Sequence, residues 1–200
     1  NTMNLKNYYY YFDQAIPTPV CDDIVKYAKT IETKIAGTGY NGQTKDLSKL
    51  RNSNVVWLND NWIYNEIWPY LNLANRSAGW NFQWDISEDC QFTIYNPGQF
   101  YDWHCDEFGK VYDRPNTPFD KKIRKISCSL LLSDPEEYEG GELEFDFKNE
   151  KDKGEFRTCT EVNKKGSIIF FPSFVWHRVK PVTKGRRYSL VIWSCGNPYK

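Results

Sequence analysis

No apolar stretch in this 200-residue chain is long enough to cross a bilayer, and no basic-then-apolar leader opens it. Met3 reads as the natural start, and the expected setting is the cytoplasm, with no membrane partner. Charge of one sign is missing too: 26 Lys and Arg balance 26 Asp and Glu, a formal net charge of zero. Proteins that neutralise duplex phosphates usually carry a basic excess, so nucleic acid is disfavoured as a partner. The six cysteines (Cys21, Cys90, Cys105, Cys128, Cys159 and Cys195) include no Cys-x-x-Cys pair. A domain this size needs no disulfides, and free thiols in a reducing cytosol are expected. Internal repeats, low-complexity tracts and Pro/Gly/Ser linkers are also lacking. The expectation is one domain over 1–200, with helical support over roughly 1–79 and the main core over roughly 80–200.

What the chain has in quantity is aromatic side chains, at 17% of residues, which favour pleated, half-buried surfaces. Residues 7–12 (Asn-Tyr-Tyr-Tyr-Tyr-Phe) read as a strand. Thr18 then reads as a helix N-cap with Pro19 in the first turn. Val20, Ile24, Ala28, Ile31 and Ile35 recur at helical spacing up to Gly37. Gly39 to Lys49 reads as a polar surface loop. A second helix is expected from Asp60, with Ile63, Ile67, Leu71 and Ala74 on one stripe and Pro69 kinking or splitting it. After Gly79 the pattern changes to short β-branched and aromatic runs: Gln91–Tyr95, Ile126–Leu132, Glu142–Phe147, Ser167–Phe171 and Tyr188–Trp193. Many short strands without intervening helices predict a mainly β (α+β) fold, a sandwich or jelly roll buttressed by the N-terminal helices. The polar, proline-punctuated stretch from Glu107 to Lys122 reads either as a lid or as a plain connector.

Only two histidines occur. His104 stands in His-Cys-Asp, and on a strand His104 and Asp106 would share a face while Cys105 points away. His177, far downstream, would complete a two-histidine, one-carboxylate triad, a set that leaves coordination positions open and suits iron(II) oxygen chemistry. A His-x-Asp alone is weak, and a lone histidine is more often packed or at the surface than a ligand.

The surroundings of His177 are more specific. From Gly166 the chain reads Gly-Ser-Ile-Ile-Phe-Phe-Pro-Ser-Phe-Val-Trp-His177-Arg-Val-Lys-Pro-Val-Thr-Lys-Gly-Arg-Arg187-Tyr-Ser189. Upstream stands Tyr95-Asn-Pro-Gly-Gln-Phe-Tyr101-Asp-Trp-His104-Cys-Asp106, and between them Arg124-Lys-Ile-Ser127 and Gly140-Gly141-Glu142-Leu143. Over roughly Trp80 to Trp193 this pattern resembles the prolyl 4-hydroxylase-like (PKHD-type) branch of the 2-oxoglutarate and iron(II)-dependent dioxygenases, with a double-stranded β-helix fold. The resemblance implies that His104, Asp106 and His177 hold iron(II). Arg187, ten positions beyond His177, would grip the far carboxylate of 2-oxoglutarate, a bidentate match of guanidinium to carboxylate. Tyr95 and Ser189 would assist it, Ser189 from the same strand face. Tyr101 would line the substrate side, and Arg124 and Trp193 would meet a target peptide. Taken singly, the tyrosines and Trp193 are equally readable as core, and Arg187 as a solvated charge.

The implied activity is hydroxylation of an unactivated C–H bond, coupled to decarboxylation of 2-oxoglutarate to succinate and carbon dioxide. Dioxygen is the oxidant, ascorbate an accessory reductant, and a proline-containing peptide or protein the target. Two alternatives stay open. One is the same chemistry on another protein side chain, a free amino acid or a nucleobase; the other is a non-catalytic jelly-roll module with a structural metal. Structural sites are normally closed by four protein ligands, and only three are legible here. Ile126, Cys128 and Leu130, or their neighbours, are expected to supply the apolar walls.

Overall fold

The computed structural model describes residues 7–37, 48–147 and 156–199. In chain order these form β1 (Tyr10–Phe12), α1 (Thr18–Ala28), β2 (Lys34–Ile35), β3 (Arg51–Asn52), β4 (Asn54–Leu58), α2 (Asn61–Ser77), β5 (Ile86–Ser87) and β6 (Cys90–Tyr95). There follow β7 (Phe100–His104), β8 (Ile123–Leu131), β9 (Tyr138–Gly140), β10 (Leu143–Asp146), β11 (Phe156–Thr158), β12 (Ile168–Pro172), β13 (Trp176–Val179), β14 (Val182–Gly185) and β15 (Arg187–Gly196). An eight-stranded sheet runs β1-β12-β8-β15-β6-β4-β2, with β5 also paired to β15. A five-stranded sheet runs β11-β10-β13-β7-β3, and β14 pairs with β9.

The large sheet is buried on both faces. On one, Phe92, Ile126, Leu130, Phe170, Leu190 and Ile192 pack with Ile24 of α1 and Ile63, Ile67 and Leu71 of α2. On the other, Tyr95, Ile169 and Phe171 meet Leu143, Phe145 and Val179 of the smaller sheet. This double burial explains why β12 is a continuous apolar run rather than an alternating one, since every residue of it is buried. The predicted strands after Gly79 are all present, within a few residues at their ends.

The N-terminal third departs from expectation in four ways. Pro17, not Thr18, is the N-cap of α1, and Thr18 is already helical, with no side-chain cap bond. Helix α1 stops at Ala28, so Ile31 and Ile35 are not on it; Thr30 turns its hydroxyl back to the Tyr27 carbonyl at 2.7 Å, a local bond that competes with continuing the helix. Ile35 lies instead in β2, paired across to Asn54. Helix α2 is one uninterrupted element through Pro69, which sits on its exposed face, where the carbonyl it leaves unpaired can bond water. Finally, residues 51–58 are strand, not part of a helical support. Val55, Val56 and Leu58 are buried there, and Val55 pairs with Thr93 of β6. The predicted loop over Gly39–Lys49 falls largely on residues 38–47, outside the described residues.

Residues 107–122 are an ordered, folded-back segment. Tyr112 N donates to the Lys122 carbonyl and Lys121 N to the Tyr112 carbonyl, each at 2.9 Å. No helix among the described residues is long and apolar enough to cross a membrane. All six cysteines are free, five of them buried.

Phe92 is fully buried where the helices meet the large sheet. Phe92→Ala should lower unfolding free energy by about 3–5 kcal/mol, the usual cost of deleting a core aromatic. Equilibrium denaturation checks this; a loss under 1 kcal/mol would mean the helices do not depend on this core.

Candidate metal and dicarboxylate site

The site is built by register. Strand β13 runs antiparallel to β7 with His177 directly opposite His104, and the two rings lie 4.2 Å apart between centroids. Asp106 lies just past the end of β7. Its backbone N–H donates to the Ser173 carbonyl at 2.8 Å, turning the carboxylate inward, and Ser127 Oγ donates to Asp106 Oδ2 at 2.6 Å. The result is that one ligand atom from each of His104, Asp106 and His177 lies within 4.8 Å of the others. His104 Nε2 is 3.5 Å from Asp106 Oδ1, and His177 Nε2 is 3.7 Å from Oδ2.

The tautomers suit a cation. His104 Nδ1 faces the Asp102 carbonyl at 2.7 Å and His177 Nδ1 the Val175 carbonyl at 3.0 Å. A carbonyl can only accept, so each Nδ1 carries a proton and each Nε2 is the nitrogen turned toward the site. Burial, reinforced by His104, pulls His177 down to about 4, against the opposing pull of Asp106. Burial alone would raise the Asp106 carboxyl, but His177, His104 and Arg124 outweigh it and hold it well below the usual range. One neutral imidazole and one carboxylate are thus ready to bind without first losing a proton.

The triad opens into a pocket between the two sheets, lined also by Tyr95, Tyr101, Arg187, Ser189 and Trp193. Arg187 is 5% exposed, and its Nε has no hydrogen-bond partner among the described residues. Trp193 Nε1 is buried and unpartnered in the same way. Leaving such donors unpaired is costly, so a buried guanidinium aimed into a pocket is the mark of an absent anion. Gly141 makes room for it: at φ +66°, a Cβ there would come within 2.9 Å of Arg187 Cδ. Tyr95 sits in cross-strand register with Arg187, and burial raises its hydroxyl above the ordinary tyrosine range. The donor set and the orphaned guanidinium together fit a metal chelated by a dicarboxylate.

The remaining candidates are placed as follows. Tyr101 lies flat on His104, centroids 3.4 Å apart. Arg124 is not free. Its Nε and Nη2 grip Glu88 at 2.8 and 2.7 Å, and its guanidinium lies 3.8 Å from the centre of the Trp193 ring. The apolar wall comes from Leu143, Phe171, Val179 and Val191 with Cys128 at its edge, whereas Ile126 and Leu130 belong to the helix-facing core. Sequence reasoning missed Arg51 and Gln91. Arg51 is 6% exposed, stacks 4.5 Å over Tyr101 and donates to Gln91 Oε1 at 2.7 Å, so the pocket holds two guanidiniums against one carboxylate. The β-rich run Asn54-Val-Val-Trp-Leu58, just after Arg51, was the available signal that this segment joins the sheets.

Fold and site together define a mononuclear-metal, dicarboxylate-binding β protein. The pattern of the 2OG-Fe(II) oxygenase superfamily matches residues 90–195, just over half of the chain, and the chain belongs to that family. Its implied cofactors are iron(II) and 2-oxoglutarate. A PKHD-type hydroxylase from Xanthomonas euvesicatoria is 32% identical over 103 residues, 52% of this chain and 42% of that protein. One from Xylella fastidiosa is 37% identical over 106 residues, again 52% and 42%. The matches therefore span about two-fifths of the curated relatives' length. Among solved structures, the viral collagen prolyl hydroxylase of Paramecium bursaria Chlorella virus-1, as its 2OG complex, aligns with a TM-score of 0.68 at 24% identity over 96% of this chain and 97% of that one. A Pseudomonas putida prolyl-4-hydroxylase aligns with a TM-score of 0.68 at 20% identity, covering 96% and 95%. These structural likenesses speak for the fold.

Asp106→Ala should abolish stoichiometric binding of iron(II), or of manganese(II) as an air-stable substitute, in titration calorimetry, with an unchanged far-UV circular dichroism spectrum. Undiminished binding would place the metal elsewhere.

Proposed function

We propose that this protein is an iron(II)- and 2-oxoglutarate-dependent hydroxylase whose target is a prolyl residue in a peptide or protein. The observation that carries the reading is a convergence: three ligand atoms within 4.8 Å open onto the same pocket as a buried guanidinium with an unpaired Nε. A structural metal module would have no use for that arginine. We further infer that the two facing sheets are the double-stranded β-helix of the family and that the described elements act as one catalytic unit in the cytoplasm.

In this reading His104, Asp106 and His177 hold iron(II), and Arg187 grips the far carboxylate of 2-oxoglutarate, helped by Tyr95 and Ser189. When bound, the metal and its co-substrate supply the oxidation, in which dioxygen and 2-oxoglutarate become succinate, carbon dioxide and one oxygen atom inserted into a C–H bond. The protein's part is placement and shielding. Ser127 holds Asp106 Oδ2, which faces His177, and leaves Oδ1 toward His104. Leu143, Phe171, Val179 and Val191 keep water from the reacting centre. Tyr101, fixed between Arg51 and His104, forms the wall a substrate would meet. Arg124, its charge balanced by Glu88 and its Nη1 turned to the Asp106 carbonyl at 3.5 Å, lies beside Trp193 on the substrate side. Ascorbate would serve to return the metal to the ferrous state after unproductive turnover.

The prolyl target is favoured by the similar structures, two described as prolyl hydroxylases and a third, at TM-score 0.61 and 16% identity, as a prolyl hydroxylase in complex with a hypoxia inducible factor peptide fragment from Trichoplax adhaerens. Incubation of proline-containing peptides with iron(II), ascorbate and 2-oxoglutarate should add one oxygen to proline by tandem mass spectrometry, with one succinate formed per oxygen. Succinate without peptide oxidation would reject the prolyl target and keep the chemistry. Arg187→Ala should raise the 2-oxoglutarate concentration for half-maximal succinate formation by roughly 10- to 100-fold, as loss of a charge-assisted bidentate contact does.

A further inference from the structure

One buried phenol ties the segment 107–122 to the substrate side of the site. Tyr112 is 3% exposed, and its hydroxyl donates to Glu88 Oε1. The same carboxylate accepts both arms of Arg124, at 2.8 and 2.7 Å, and the Cys195 thiol at 3.5 Å. Arg124 in turn lies 3.8 Å over Trp193 and 5.0 Å over Phe108, a residue of the segment itself, with Nη1 3.5 Å from the Asp106 carbonyl. A fork–fork ion pair uses one lone pair on each carboxylate oxygen, and the other on Oε1 is shared by the Tyr112 hydroxyl and the weaker Cys195 thiol. Without the phenol only the thiol would add to the fork at Oε1. With it, the carboxylate plane is set more firmly, and so is the plane of the guanidinium.

The segment is also a wall. Beyond Trp193 stands Trp57, 45% exposed, their rings 6.3 Å apart. The cleft beside Trp57 is lined by Glu88 and Asp89 on one side and by Arg114 and Phe119 of the segment on the other. The tip of the segment is folded on itself, Arg114 N donating to Asp120 Oδ1 at 3.1 Å and Thr117 Oγ1 to the Arg114 carbonyl at 2.7 Å. Tyr112 lies at its neck, where the two 2.9 Å backbone bonds to Lys121 and Lys122 close it. A chain leading away from the reacting residue past Trp193 would run between Trp57 and this tip.

We propose that Tyr112 is a positioning residue: by holding Glu88 it sets Arg124 against Trp193 and latches 107–122 as one wall of the substrate entrance. The role in substrate binding rests on the reading above that Arg124 and Trp193 meet the primary substrate; the latch itself does not. Tyr112→Phe removes the donor and keeps the ring. Amide hydrogen exchange over 109–121 should then rise several-fold while β8 and β15 stay protected, and the Arg124 Nε–H resonance in arginine-labelled protein should shift or broaden. The KM for a proline-containing peptide should rise about 3- to 10-fold, less than the full cost of a hydrogen bond to a charged group because the loss reaches the substrate only through Arg124. The KM for 2-oxoglutarate and kcat should stay within about twofold of the unaltered protein. Tyr9→Phe, which removes a hydroxyl from a different carboxylate, Glu161, is the control and should change none of these. Unchanged exchange and an unmoved Arg124 resonance overturn the latch. A loosened segment with an unaltered peptide KM overturns the positioning role. If the unaltered protein oxidises no prolyl peptide, the first two readouts still decide the latch, and the failure belongs to the substrate reading.

Discussion

The site depends on one cross-strand pair, His104 of β7 opposite His177 of β13. In an antiparallel ladder a slip of one residue would turn one imidazole to the other face of the sheet, and no adjustment of rotamers could bring it back. The register is therefore what brings the triad together. It is held by β10 on the far side of β13, where Phe145 pairs with His177 and Leu143 with Val179, and by β3 on the far side of β7, where Arg51 pairs with Tyr101. Asp106 is then brought to the pair by the bond of its N–H to the Ser173 carbonyl and by the Ser127 hydroxyl on its carboxylate.

A second constraint is charge. Asp106 is almost fully buried beside two imidazoles, and burying an unpaired carboxylate would be prohibitive. Ser127, the histidines and the field of Arg124 compensate it, and that compensation keeps it ionised and ready to coordinate. On the opposite wall the imbalance has the other sign. Arg51 satisfies itself on Ser53 and Gln91, at 2.9 and 2.7 Å, whereas Arg187 Nε has no partner among the described residues. Of the two guanidiniums, one props Tyr101, and the other is the one the proposed function assigns to an anion.

The parts of this site that were legible in the chain are those set by short-range periodicity or by the family pattern. Ser189 shares a face of β15 with Arg187 by strand alternation, whereas Arg187 itself and the glycines at 140 and 141 were legible through the family resemblance. His104 and Asp106 do converge, but Asp106 lies past the end of β7 and is turned inward by its bond to Ser173 rather than by alternation. The helix stripe of α2 was equally readable, because 3.6-residue periodicity over a long segment is hard to mimic. Helix α1 was overextended because Ile31 and Ile35 continue its spacing by coincidence, and only the sheet pairing of β2 with β4 reveals the true role of Ile35. Arg51, Gln91, Glu88 and Tyr112 were not legible. Each acts through a partner distant in the chain: Tyr112 on Glu88, Glu88 on Arg124, Arg51 on Gln91 and Tyr101.

By itself, then, the sequence determined the inventory and its local phase: two histidines, an aspartate at strand spacing, an arginine ten residues beyond the second histidine, and enough β-branched and aromatic residues to build sheets buried on both faces. Tertiary structure decided convergence. Which strands became neighbours, which arginine was left unpaired, and which carboxylate became the hub for a loop, a guanidinium and a thiol all depend on long-range pairings. Periodicity says which way a side chain points within its own element; it carries no information about what stands across from it.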